Sequence, residues 1–137
     1  MSARLTYHVA LIAMTLLATP ALAQTQKLIT EDTVIKEIMV QSLISTRLIS
    51  ECDTIAPRKA QLKKQTAEMV AYIDETGYGS AQIILLRDES YLAQLAQAAD
   101  DMLSARGVDP NNTKALCAFG TAEIADKTAL GKLMKNR

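Results

Sequence analysis

Apolar residues recur at spacings of three, four and seven in every long segment after Gln24, and β-branched residues nowhere alternate cleanly with polar ones. A period near 3.6 residues cannot place one apolar face on a sheet, so the chain is restricted to helices that bury a stripe against one another. The first helix is expected to start at a Thr30 cap, with Glu31 and Asp32 in its first turn, and to carry Val34, Ile35, Ile38, Met39, Leu43, Leu48 and Ile49 on a wide apolar face. Pro57 can sit near the start of a second helix, in which Leu62, Met69, Val70 and Ile73 recur, and Gly77 ends it as a left-handed cap.

Ser80 is the next candidate cap, leading into Ile83, Ile84, Leu85 and Leu86. Asp88 restarts a helix whose stripe of Leu92, Leu95, Ala99, Met102 and Leu103 runs to Gly107. Asp109-Pro110-Asn111-Asn112 reads as a turn, because proline forces its predecessor out of the helical region and Asx side chains bond their own backbone. A last helix holds Leu116, Cys117, Phe119 and Ile124, followed by a shorter piece with Leu130, Leu133 and Met134. The expectation is an all-α fold: a compact bundle of four or five helices with one disulfide, in a single domain over residues 24–137.

Residues 1–23 have the three-part layout of a secretory signal. Arg4 gives a basic start, Val9 to Leu17 is the apolar stretch, and Ala21-Leu22-Ala23 supplies small residues before a cut ahead of Gln24. A membrane span needs about 20 apolar residues; this stretch is shorter and is broken by Thr15, Thr19 and Pro20, so a cleaved signal is expected rather than a stable membrane anchor. Cleavage removes Arg4 and His8, and with His8 goes the chain's one histidine. Triads using histidine, histidine zinc sites and imidazole acid/base chemistry are thereby excluded, and no cofactor is expected.

Cys52 and Cys117 are the two cysteines, and export would place them where disulfides persist. Closing a loop of about 66 residues would stabilise the fold by about 4 kcal/mol on the chain-entropy model. There is no C-x-x-C and no third ligand type suited to zinc, so the pair reads as structural. Gly120, one turn after Cys117, weakens a helix, and its expected reason is a close helix approach beside the disulfide. Arg58 follows soon after Cys52 and Glu123 soon after Cys117, which suggests a structural ion pair between them.

The acidic neighbours Glu31-Asp32, Asp74-Glu75, Asp88-Glu89 and Asp100-Asp101 point in different directions on a helix and do not make the facing carboxylates of a glycosidase. Fifteen Lys and Arg against fifteen Asp and Glu give no nucleic-acid footprint. The densest basic group, Arg58, Lys59, Lys63 and Lys64, reads as a solvated face rather than a nucleic-acid or anionic-lipid patch, since three tyrosines and one phenylalanine after residue 23 are few to stack bases or anchor a bilayer. Tyr72, Tyr78 and Tyr91 could rim a groove, although such residues more often cap a core with the hydroxyl in water. One helix cannot bury four consecutive apolar residues against one neighbour, so Ile83, Ile84, Leu85 and Leu86, with Tyr91, form the candidate interaction surface.

Cys52-Asp53-Thr54-Ile55 with Arg58, Gly77-Tyr78, Gly107-Val108-Asp109-Pro110, Leu116-Cys117-Ala118-Phe119-Gly120 and Glu123-Ile124-Ala125 together resemble a family of small secreted alphaproteobacterial proteins, of the Rhodobacterales type, of unknown function. Thr121 stands where that family would carry a basic residue. The resemblance implies an exported helical protein with paired cysteines and implies no reaction. A periplasmic, non-catalytic interaction protein is therefore expected, acting on another envelope protein as inhibitor, adaptor or chaperone-like binder, an acid-stress holdase being one version. The alternatives are a small-molecule carrier with a cavity lined by residues such as Met69, Met102 and Phe119, and a carboxylate-based cell-wall hydrolase.

Overall fold

The computed structural model describes residues 27–137; the expected signal, residues 1–23, lies outside the described residues. Five α-helices follow in order: α1 (Thr33–Glu51), α2 (Lys59–Thr76), α3 (Ser80–Leu85), α4 (Glu89–Ala105) and α5 (Thr113–Asp126). Two strands, β1 (Ile55–Pro57) and β2 (Met134–Asn136), and two 3-10 turns, Ile29–Glu31 and Gly131–Leu133, complete the described chain.

The cap of α1 is Asp32, two residues beyond the expected Thr30, because the 3-10 turn takes up Ile29–Glu31 and leaves Asp32 in extended geometry with its carboxylate on the N–H groups of Val34 and Ile35. Asp88 caps α4 in the same way, through Ser90 and Tyr91, and Asn112 caps α5 through Ala115. Gly77 and Gly107 adopt φ of 76° and 75° at the ends of α2 and α4, the left-handed geometry that glycine accepts without strain. Ser80 is not a cap: Gly79 holds that position and Ser80 is the first residue of α3.

Ile35, Ile44 and Leu48 of α1 form the centre of the core with Leu95 and Leu103 of α4 and Leu116 of α5. The disulfide Cys52–Cys117, with Cα atoms 5.5 Å apart, ties the residue that follows α1 to the first turns of α5. Close by, a Cβ on Gly120 would stand 2.6 Å from Ile55 Cδ1 and 3.2 Å from Leu48 Cδ2, so the glycine permits the expected close approach.

Pro57 stands two residues before α2, near the helix start as expected, but is itself the end of a strand, and the segment after Leu130 forms a 3-10 turn and a strand where a short helix was expected. Ile55, Ala56 and Pro57 face Asn136, Lys135 and Met134 in antiparallel register. The ribbon is extended by Arg58 N–H to Leu133 O at 2.9 Å and Arg137 N–H to Thr54 O at 2.9 Å. Ile55 and Met134 are fully buried, so the ribbon closes the bundle over α5, with Leu133 beside the start of α2 and Arg137 beside Thr54, just after α1.

Candidate functional site

Helix α1 is apolar on two sides. Ile35, Ile44 and Leu48 face the core, while Met39 and Leu43, one turn apart, look onto a trough walled by α2 on one side and by α3 and α4 on the other. The trough consists of three neighbouring hollows that share wall residues. The first, of about 330 Å³, lies among Met39, Met69, Val70 and Ile83; the second, of about 260 Å³, among Met39, Leu43, Met69 and Leu92; the third, of about 240 Å³, among Leu43, Ala96 and Ala99. Met39 and Met69 wall both of the first two, and Leu43 walls both of the last two. Val70 at 50%, Leu92 at 42%, Leu43 at 38% and Ile83 at 37% stay exposed along it.

Charge sits only at the ends. Asp74 and Arg87 line the α3 end. At the other end Arg47 donates Nε to Glu51 and Nη1 to Asp100, each at 2.9 Å, and Nη2 to the carbonyl of Pro110. This guanidinium joins α1, α4 and the turn before α5 and fixes one wall of the trough. Between the ends the polar lining of the middle hollow is Ser42 and Thr46, and Ser42 donates to Gln65 of α2 at 3.0 Å.

The Ile83–Leu86 run divides. Ile83 opens onto the trough, Ile84 is 68% exposed and Leu85 is exposed, but Leu86 is buried in the core. Tyr91 is buried as well, because it lies on the face of α4 that also carries Leu95 and Ala99 and so turns inward. Leu86 is thus a buried wall residue of the first hollow, and Tyr91 borders a separate hollow with Leu28 and Leu85. Leu43, Val70 and Leu92, which were read as parts of core stripes, belong to the exposed trough instead.

Tyr72 and Tyr78 gather on Asp32, while Tyr91 borders a hollow with Leu28, Leu85 and Gln94. Tyr78 and Tyr72 donate to Asp32 Oδ2 at 2.9 and 3.1 Å. Burial opposes ionisation of Asp32, but the N–H groups of Ile35 and Val34 and both tyrosine hydroxyls outweigh it and hold the carboxyl below its ordinary 3.8. Burial and the neighbouring Asp32 charge push all three tyrosines up. The Tyr91 hydroxyl is buried with no hydrogen-bond partner among the described residues. This cluster joins the start of α1 to the end of α2 and positions the α2 wall.

Glu123 pairs with Arg106, not with the expected Arg58. Arg106 Nη1 lies 2.8 Å from Glu123 Oε1, its guanidinium stands 5.7 Å from the centre of the Phe119 ring, and Thr128 donates to Glu123 Oε2 at 2.5 Å. Arg58, whose backbone N–H bonds Leu133 in the ribbon, has an exposed side chain and no part in this pair.

Two carboxylates have displaced acidity, and in both the displacement is downward. The Ser90 hydroxyl and the Tyr91 N–H hold Asp88 below its ordinary value against burial, and Asp32 is lowered too, the reverse of a general acid. Among the described residues no group of three or more His, Cys, Asp or Glu is placed to hold a metal ion. No helix among them is long and apolar enough to cross a membrane. Met69 lines the trough, whereas Met102 and Phe119 are half-buried against the core.

The family described as "Family of unknown function (DUF5333)" matches residues 27–135. Neither a curated protein nor a solved structure matches the chain.

Proposed function

The chain belongs to this family of unknown function, whose match spans nearly all of the described residues, and from that premise we propose that it is a non-catalytic interaction module of the cell envelope. The trough across α1 receives the apolar face of an amphipathic helix supplied by another envelope protein. The observation that carries this reading is the trough itself: exposed Leu43, Val70, Ile83 and Leu92 around two methionines, with charge confined to its ends. From Met39 to Arg47 along α1 is about 12 Å at the rise of an α-helix, room for about two turns of a ligand helix with apolar residues at i, i+3, i+4 and i+7. Unbranched methionines adapt to more than one apolar shape, which suits an inhibitor, adaptor or chaperone-like binder. The leader read in residues 1–23 and the resemblance to secreted alphaproteobacterial proteins support a periplasmic setting.

The test is in-cell cross-linking through lysines of the tagged protein, with mass spectrometry of the adducts, beside the double variant Leu43→Asp, Val70→Asp. Both positions are exposed, so the variant is expected to fold and to lose the adducts. Adducts that persist unchanged in the folded variant would refute the trough as the binding site.

A further inference from the structure

The antiparallel pairing of β1 with β2 brings together two stretches of sequence that each carry only positive charge. Residues 58–64 contain Arg58, Lys59, Lys63 and Lys64 and no acid, and residues 132–137 contain Lys132, Lys135 and Arg137 and no acid. These are half of the fourteen basic side chains in residues 27–137, and the whole of its fifteen acids lie elsewhere. All seven are exposed. Ala56 faces Lys135, the backbone of Arg58 bonds Leu133, Arg137 bonds Thr54, and Lys64 and Lys132, with the acid Glu68, line one hollow of about 290 Å³ between α1, α2 and the second 3-10 turn. The one ion pair in the group is Lys64 with Glu68, at 3.7 Å and well exposed.

Two of these cations stand where they do not favour the helix they begin. Arg58 occupies the cap position of α2 without a capping side-chain bond, Lys59 opens the helix, and no acid stands in its first turn. The positive end of a helix dipole favours acids there, so the arrangement opposes the helix it starts. A local conflict with no structural gain marks a surface kept for something else.

We propose that this basic end of the molecule binds the surface of an anionic phospholipid bilayer. The seven side chains are long and exposed, and their guanidinium and ammonium groups are mostly without protein partners, so they present a smeared positive field rather than a fixed fork for one carboxylate or phosphate. A fluid array of negative headgroups matches such a field without fixed positions. No tyrosine of the described chain is exposed and Phe119 is half-buried beneath Arg106, which leaves nothing on this face to stack nucleic-acid bases. The contact is peripheral, since no large apolar residue within the two basic stretches is exposed to enter the bilayer.

Co-sedimentation of the purified protein with vesicles tests this. Vesicles of phosphatidylglycerol and phosphatidylcholine are expected to bind it, pure phosphatidylcholine vesicles are not, and raising ionic strength from about 0.05 to about 0.3 M is expected to weaken binding roughly tenfold or more. The triple variant Lys59→Glu, Lys63→Glu, Lys132→Glu should lose binding, whereas Lys36→Glu, Lys114→Glu should retain it, with melting temperatures of both checked for folding. Absence of binding to the anionic vesicles, or equal losses in the two variants, would overturn the proposal. Binding to an acidic polypeptide or to nucleic acid but not to vesicles would overturn it in favour of that partner.

Discussion

Asp32 shows how one carboxylate can hold several elements at once: it caps α1 and receives both Tyr72 and Tyr78. Asp32→Ala is expected to cost about 1–2 kcal/mol at neutral pH, within the range for lost caps. Because the folded-state pKa lies below the unfolded value, this stability is present above 3.8 and lost as pH falls through the folded value. Chemical denaturation of the two proteins should therefore give curves that separate at pH 7 and converge in strong acid; a constant difference at every pH would refute the assignment. Tyr91→Phe removes a buried hydroxyl that has no protein partner and should leave stability unchanged or raise it by up to about 1 kcal/mol. Glu123→Gln should lower stability by about 1 kcal/mol while Arg58→Gln changes nothing, since the pair at α5 is Arg106–Glu123. Sequence proximity to the disulfide suggested the wrong arginine, because a tertiary partner is set by where α4 ends and not by spacing along the chain.

Among the elements, the glycines that end α2 and α4, the Asp88 cap and the turn at residues 109–112 were readable because each follows from local backbone chemistry. Gly120 was readable too, as a residue unfavourable in a helix that needed a reason. The strands were not: three residues are too few to show a period of two, and Pro57 reads equally well as a helix start. Gly131 escaped notice for the same reason, although an added Cβ would fall 1.8 Å from the carbonyl oxygen of Glu123. Gly131→Ala therefore collides with backbone, whereas at Gly120 the nearest atoms are side-chain ends of Ile55 and Leu48 that can give way. Thermal melts should show Gly120→Ala losing about 1–3 kcal/mol, in the range for overpacking, and Gly131→Ala losing more; the opposite order would contradict the packing of the second 3-10 turn on α5.

The whole molecule was legible as a helical bundle pinned by Cys52–Cys117, and illegible as a surface. A stripe read from periodicity says which residues are apolar on one face but not whether another helix covers that face. Met39, Leu43 and Val70 fit core stripes as well as Ile35 and Ile44 do, and it is the spread of α2 from α4 that leaves them open. The run at Ile83–Leu86 pointed towards this region, yet its most exposed member, Ile84, does not line the trough and Leu86 is core. The direct measurement is photo-cross-linking in the living cell from a single reactive residue placed at Val70 in the trough, compared with one at the exposed Ala118 on α5. One discrete envelope-protein adduct from position 70 and none from 118 is the expected result; the same adducts from both positions, or none from position 70, would contradict the trough as the place where this protein acts.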